Sequence, residues 1–201
     1  MGNSGWQRVL DHLLSKVIPA ARDYDRAEQE LSEAFNLSSE PERWRVAGEH
    51  AKRRAAEVAV AIDGLPDRAA QHLRTTSDEI RKAVSLCCVI NGTARAGSIE
   101  RVCAVANAYK HVGPLWTKHP IKSEDDILCT GAGYSVDSVG IGKNGGVEVL
   151  TIERDGTLRK FLGDVPWAIA AWFNFLGQHG AELPKAEVHV CGVCVKAGDA
   201  A

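Results

Sequence analysis

The run RVCAVANAYKHVG, Arg101 to Gly113, reads as the closing turns of a helix ending in a glycine stop, with Pro114 directly behind it. Upstream of this junction apolar residues recur at helical spacing. Downstream, glycines, turns and short alternating runs take over, so the chain changes its period here from 3.6 to 2. The reading that follows is an α+β fold: an N-terminal antiparallel helical bundle over residues 1–113, then a small antiparallel sheet with a β-hairpin, then a packed C-terminal helix. Residues 114–184 are expected to pack on the bundle as one structural unit, and 185–201 to form a polar tail that frays.

Working towards the N-terminus, Ser98 is placed to cap the helix that carries Ile99, Val102, Cys103, Ala106 and Tyr109, after the turn NGTARAG. Thr76 and Glu79 have the spacing of a capping box, which predicts a helix break near Thr75 within 66–90. An alanine-rich helix runs through Trp44, Ala47, Ala51, Ala55, Val58 and Ile62 to an Asp63-Gly64 stop, with Ser39 as its expected cap and Pro41 in its first turn. Its small side chains suit a close helical neighbour. Before it, Val9, Leu10, Leu13, Leu14, Val17 and Ile18 share one helix face, and Pro19 is expected to kink or restart the helix that continues through Tyr24, Ala27 and Leu31.

Towards the C-terminus, short β-rich runs at 126–130, 146–153 and 157–162 predict strands. Asp155-Gly156 between the last two predicts a type I′ hairpin turn. The run GAGYSVDSVGIGKNGG, 131–146, matches neither a P-loop nor a dinucleotide fingerprint, and reads as turns and bulges. Asp164 is expected to cap the last helix. That helix, with Trp167, Ile169, Trp172, Phe173, Phe175 and Leu176, is apolar nearly all round and must be covered on more than one side. Such an apolar surplus predicts a homo-oligomer or an unknown protein partner.

Charge narrows the function classes. The 201 residues carry 24 Lys+Arg and 26 Asp+Glu, a net of -2, so general nucleic-acid binding is not expected. No run of 18 apolar residues predicts a membrane span, and MGNSGWQR lacks the apolar core of a signal peptide. Trp6 stands where N-myristoylation after Gly2 would want Ser or Thr. The expected compartment is the cytoplasm. Six scattered cysteines do not suggest a disulfide framework, and Cys87, Cys88 and Cys103 read as small buried hydrophobes.

Three sets of residues can carry chemistry. Asn107, Lys110 and His111 share a face at the helix end, so an amide, an ammonium and an imidazole can converge on a small anionic ligand. The alternative is a plain helix cap, since cations suit a helix C-terminus. His119, Asp125 and Asp126 are near in sequence. His189, Cys191 and Cys194 form an HxCxxC cluster able to supply three zinc ligands, with no second cysteine pair to close the site. A Cys103–His111 nucleophile pair is excluded, since eight residues place them about 12 Å apart along a helix. No cofactor beyond a possible zinc is expected.

The segments ANAYKHVGPLWTKHPIKSEDDI, GYSVDSVGIGKNGGVEVL and KFLGDVPWAIAAWFNFLGQHGAELP, together roughly Arg101 to Pro184, resemble a group of uncharacterised bacterial and phage proteins. These share an ANAxKH helix end, a glycine-rich strand pair and a closing tryptophan helix, and the resemblance implies no activity. The helical half is similar in style to HEPN-type bundles, some of which are metal-independent ribonucleases using an Arg and a His four to six residues apart. That resemblance implies Arg45 and His50 as the catalytic pair, although Val46 stands where those nucleases carry a polar residue. The leading expectation is a non-enzymatic interaction or self-associating module, with the HEPN-like ribonuclease and the anion binder as alternatives.

Overall fold

The computed structural model describes residues 4–37, 40–111, 113–131, 135–137, 140–142, 147–185 and 187–196. The expected cap Ser39 and much of the glycine-rich run lie outside them. The architecture is α+β, with packed N-terminal helices, small antiparallel sheets and a C-terminal helix.

The chain opens with α1 (Ser4–His12), a π-helical turn (Leu13–Val17) and α2 (Ile18–Leu37), which run on without a break. The expected kink at Pro19 takes the form of that wide turn. A proline ring collides with the carbonyl four residues back, here Ser15, and the Ile18 N–H instead reaches five back to the Leu13 carbonyl. Helix α3 (Pro41–Asp63) packs along α2, with Ala51, Ala55 and Ala59 fully buried in the contact stripe. Gly48 lets a strand lie against α3, because a Cβ there would stand 2.8 Å from the Cys129 sulfur.

Next come α4 (Leu65–Leu73) and α5 (Ser77–Ser85), separated at Arg74, whose φ is 55°. The capping box forms as expected: the Thr76 hydroxyl accepts from the Glu79 N–H, and the Glu79 carboxylate accepts from the Thr76 N–H. Strands β1 (Val89–Ile90) and β2 (Thr93–Ala94) then make a short hairpin over Asn91-Gly92, followed by α6 (Ser98–Lys110).

The main sheet is antiparallel, in the order β3 (Ile127–Gly131), β6 (Val147–Ile152), β7 (Leu158–Lys160), with Ile127 opposite Thr151 and Ile152 opposite Leu158. Strands β4 (Ser135–Asp137) and β5 (Gly140–Gly142) pair separately. Helices α2 and α3 cover the main sheet. The β6–β7 hairpin is present, but its turn is not type I′: Gly156 is left-handed (φ 86°) while Asp155 is not. The Asp155 carboxylate accepts the Thr157 N–H, and Gly156 N–H bonds the Glu153 carbonyl, so Arg154 and Asp155 form an ordinary turn with glycine completing it. Both central residues are left-handed at Asn91-Gly92 (49°, 73°) and Cys191-Gly192 (49°, 71°), which have the type I′ signature.

Helix α7 (Val165–Gln178) lies at the centre, touching α3, α5, α6, β1 and the last strand. Of Val165–Leu176 every residue but Trp167 is buried within the one chain. The apolar surplus behind the expected self-association is therefore covered internally. Part of that cover comes from the tail, which does not fray over 187–196: β8 (Glu187–Val190) and β9 (Val193–Lys196) form a hairpin whose inner residues Val188, Val190 and Val195 are buried. Four alternating valines outweigh the polar residues between them.

Two expected caps have other work. Asp164 makes no capping bond; both its oxygens accept from Arg101 (Nε 2.7 Å, Nη2 2.7 Å), and one also accepts from the Ser98 hydroxyl at 2.9 Å. Arg95 stands 3.2 Å away and Glu153 holds the far side of Arg101. This buried knot locks the start of α6 to the start of α7.

Candidate functional site

At the end of α6 the three side chains do not converge. Asn107 turns back on its own helix and donates to the Cys103 carbonyl at 2.9 Å. Lys110 reaches across to Asp63, with Nζ 2.8 Å from Oδ2. His111, in extended backbone, is exposed on another side.

The Lys110 contact belongs to a closed clamp. Asp63 is the last residue of α3, 6% exposed, where the negative end of the helix dipole opposes a carboxylate. Two cations offset this: Arg81 donates from Nε and Nη2 to Oδ1 (3.3 and 3.1 Å), and Lys110 holds Oδ2. Arg81 also donates to Asp78 at 2.9 Å. Burial, and then the Asp63 charge, push the neighbouring Cys103 thiol up to about 12, so it stays protonated and unreactive. The void beside Asp63, Arg81, Cys103 and Trp172 measures about 10 Å³, room for one water at most. This arrangement joins α3, α5 and α6, with both Asp63 oxygens already held by Arg81 and Lys110.

The groove that His111 does line, about 370 Å³, is completed by Tyr109, Pro114, Ser123, Glu124 and Asp125. Two carboxylates and, among the described lining residues, no Lys or Arg give it the wrong sign for the small anionic ligand expected there. Asp126 is occupied at the base of the same loop, accepting the N–H groups of Lys122 and Ser123. His119, instead of meeting His111, lies towards Asp63 and Arg81; burial, and then Lys118, depress its pKa.

Loop 113–126 carries the feature that spacing did not reveal. Arg154 fans into it, donating from Nε to the His119 carbonyl (2.8 Å) and from Nη2 to those of Leu115 (2.9 Å) and Trp116 (3.0 Å). Its own N–H bonds the Pro120 carbonyl at 2.7 Å. Leu115 and Ile121 are buried as the loop's two feet. Between them Trp116 stands 77% exposed, with the Lys118 ammonium 5.9 Å from its ring centre. A large exposed aromatic ring on a backbone held by three arginine–carbonyl hydrogen bonds suits a binding anchor.

On α3, Arg45 and His50 line one open groove with Val46, Glu49 and Arg53. Yet Arg45 lies 3.4 Å from Glu42, and His50 is held on both ring nitrogens. Its Nε2 accepts from Arg54 Nε at 3.2 Å, and Nδ1 stands 3.5 Å from Glu30. An imidazole whose lone pair already accepts a guanidinium N–H is poorly placed to take a proton from a ribose hydroxyl.

In the terminal hairpin His189 and Cys194 are directly opposite in register, but Cys191 sits in the turn and directs its thiol to the Ala21 carbonyl (3.8 Å). Burial pushes that thiol up to about 12. The expected trio of His189, Cys191 and Cys194 is therefore not assembled. Glu187 takes the third place: its carboxylate, the His189 imidazole and the Cys194 sulfur lie within 4.8 Å of one another. Set beside known proteins, the chain matches no family, no curated protein and no solved structure.

Proposed function

We propose that this chain is a non-enzymatic interaction module whose contact surface centres on Trp116. The observation that supports the reading is the exposure of Trp116 on a loop fixed by Arg154 and by the buried Leu115 and Ile121. Large aromatic side chains that lie outward on rigid loops are the residue type that dominates binding energy at protein interfaces. The partner implied is a protein with an apolar pocket able to take an indole; Lys118 beside the ring already stands 3.6 Å from Asp78.

Two variants test this against the background of general stickiness. Trp116→Ala and Leu158→Ala each remove an exposed apolar side chain, 77% and 51% accessible, and both are expected to keep the wild-type melting temperature. The reading requires a protein retained by wild type and by Leu158→Ala but lost with Trp116→Ala. Equal recovery with all three would overturn it. The rival ribonuclease reading has support in the groove that Arg45 and His50 share. It would replace the first reading if metal-free RNA cleavage were found in the wild type and lost in both Arg45→Ala and His50→Ala.

A further inference from the structure

The β8–β9 hairpin separates its residues cleanly by face. Val188, Val190 and Val195 point inward against α2 and α7, while Glu187, His189 and Cys194 share the outer face. Its register is fixed by the left-handed Cys191-Gly192 turn and by the buried valines, since a slip of one residue would turn those valines out to water. His189 and Cys194 are direct cross-strand partners, the closest side-chain relation a sheet offers, and Glu187 stands two residues before His189 on the same face.

We propose that Glu187, His189 and Cys194 form a binding site for a late first-row divalent metal ion, zinc being the natural occupant. A thiolate, an imidazole and a carboxylate are the three zinc ligand types, whereas magnesium and calcium prefer oxygen alone. A tetrahedral zinc with bonds of about 2.0–2.3 Å holds its ligand atoms roughly 3.3–3.7 Å apart. The observed limit of 4.8 Å closes to that by side-chain rotation, and His189 (72% exposed) and Glu187 (54%) have the room for it. Cys194 gives up its thiol proton to solvent as the metal–sulfur bond forms, and water fills the fourth position. Cys191 takes no part, because its thiol is engaged inward with Ala21.

Cobalt(II) titrated into the untagged full-length chain tests the assignment, because thiolate coordination gives a near-ultraviolet charge-transfer band. The expected result is one cobalt per chain with that band, displaced by zinc. Cys194→Ser should abolish the band, and Cys191→Ser should keep it. His189→Gln and Glu187→Gln should each weaken binding at least about tenfold, as loss of support at a metal site does. These ligands lie on the outer face, so circular dichroism of each variant should match wild type. The site would be overturned by absence of the band, by its survival in Cys194→Ser, by its loss in Cys191→Ser, or by unchanged affinity in either Gln variant.

Discussion

Glu28 is a carboxylic acid in the core, 4% exposed, and it shows what a single residue can impose on this fold. Its Oε1 accepts from the Tyr24 hydroxyl (2.5 Å) and from the Val149 N–H of the central strand (3.1 Å), while Oε2 meets no partner among the described residues. Burial raises its pKa above 4.5, against the opposing pull of the Tyr24 and Val149 bonds. The folded state therefore holds this proton where the unfolded state has released it. Its stabilising contribution is complete below about pH 4.5 and is lost as pH rises through the folded pKa, at no more than about 1.4 kcal/mol per pH unit. Glu28→Gln keeps the acceptor oxygen and removes the charge, so denaturant melts from pH 4 to 8 should lose that slope; an unchanged slope would contradict the assignment. The reading of the apolar stripe Tyr24, Ala27 and Leu31 passed over this acid, because Glu28 is one of several acids on the same helix. Arg101 and Asp164, 63 positions apart, were not legible as partners, because nothing local marks a long-range pair. Arg101→Met leaves Asp164 buried with diminished compensation and should cost about 3–5 kcal/mol by chemical denaturation.

At the scale of elements, the helices were legible wherever a cap or stop agrees with a 3.6-residue stripe, as at Thr76–Glu79 and Asp63–Gly64. Turn type was less so. Asp155-Gly156 and Asn91-Gly92 look alike in sequence, and the Asp155 carboxylate bonding forward to Thr157 makes them differ. The β8–β9 hairpin was written in the alternation Val188, Val190, Val193, Val195, but the intervening His, Cys and Gly residues disguised it as tail. Because that hairpin closes one side of α7, Val195→Ala should destabilise the whole protein. Two buried methyl groups at about 0.8 kcal/mol each, plus the cavity they leave, predict roughly 2 kcal/mol in a denaturant melt. A change under about 0.5 kcal/mol would mean that the hairpin is not packed there. The α6 end fared worst. Its helix stop was readable, but the destination of Lys110 depends on Asp63, 47 residues away.

One hydrophobic cluster runs through the whole molecule, from Trp6 on α1 to Val195 on β9, with α7 inside it. That burial leaves Trp167 as the one partly exposed residue of Val165–Leu176, so the apolar surplus of α7 is largely satisfied within the chain. Among the described residues no helix is long and apolar enough to cross a membrane. Among the described residues what remains outward and apolar is scattered, except that Trp116, of the large exposed apolar side chains, stands on a loop braced by an arginine on three carbonyls. A tryptophan in sequence reads as core, which is why composition could not point to it. Arg154→Ala should free this loop: amide exchange at 115–121 should speed up at least tenfold, while the helices keep wild-type protection. Unchanged exchange would remove the claim that the loop is held rigid. The most direct measurement of the central claim is photocrosslinking in cells, with a benzophenone amino acid at position 116 and, as control, at the exposed position 158. A discrete adduct with one protein at 116 and none at 158 is the predicted result; no adduct at 116, or the same adduct at both, would contradict it.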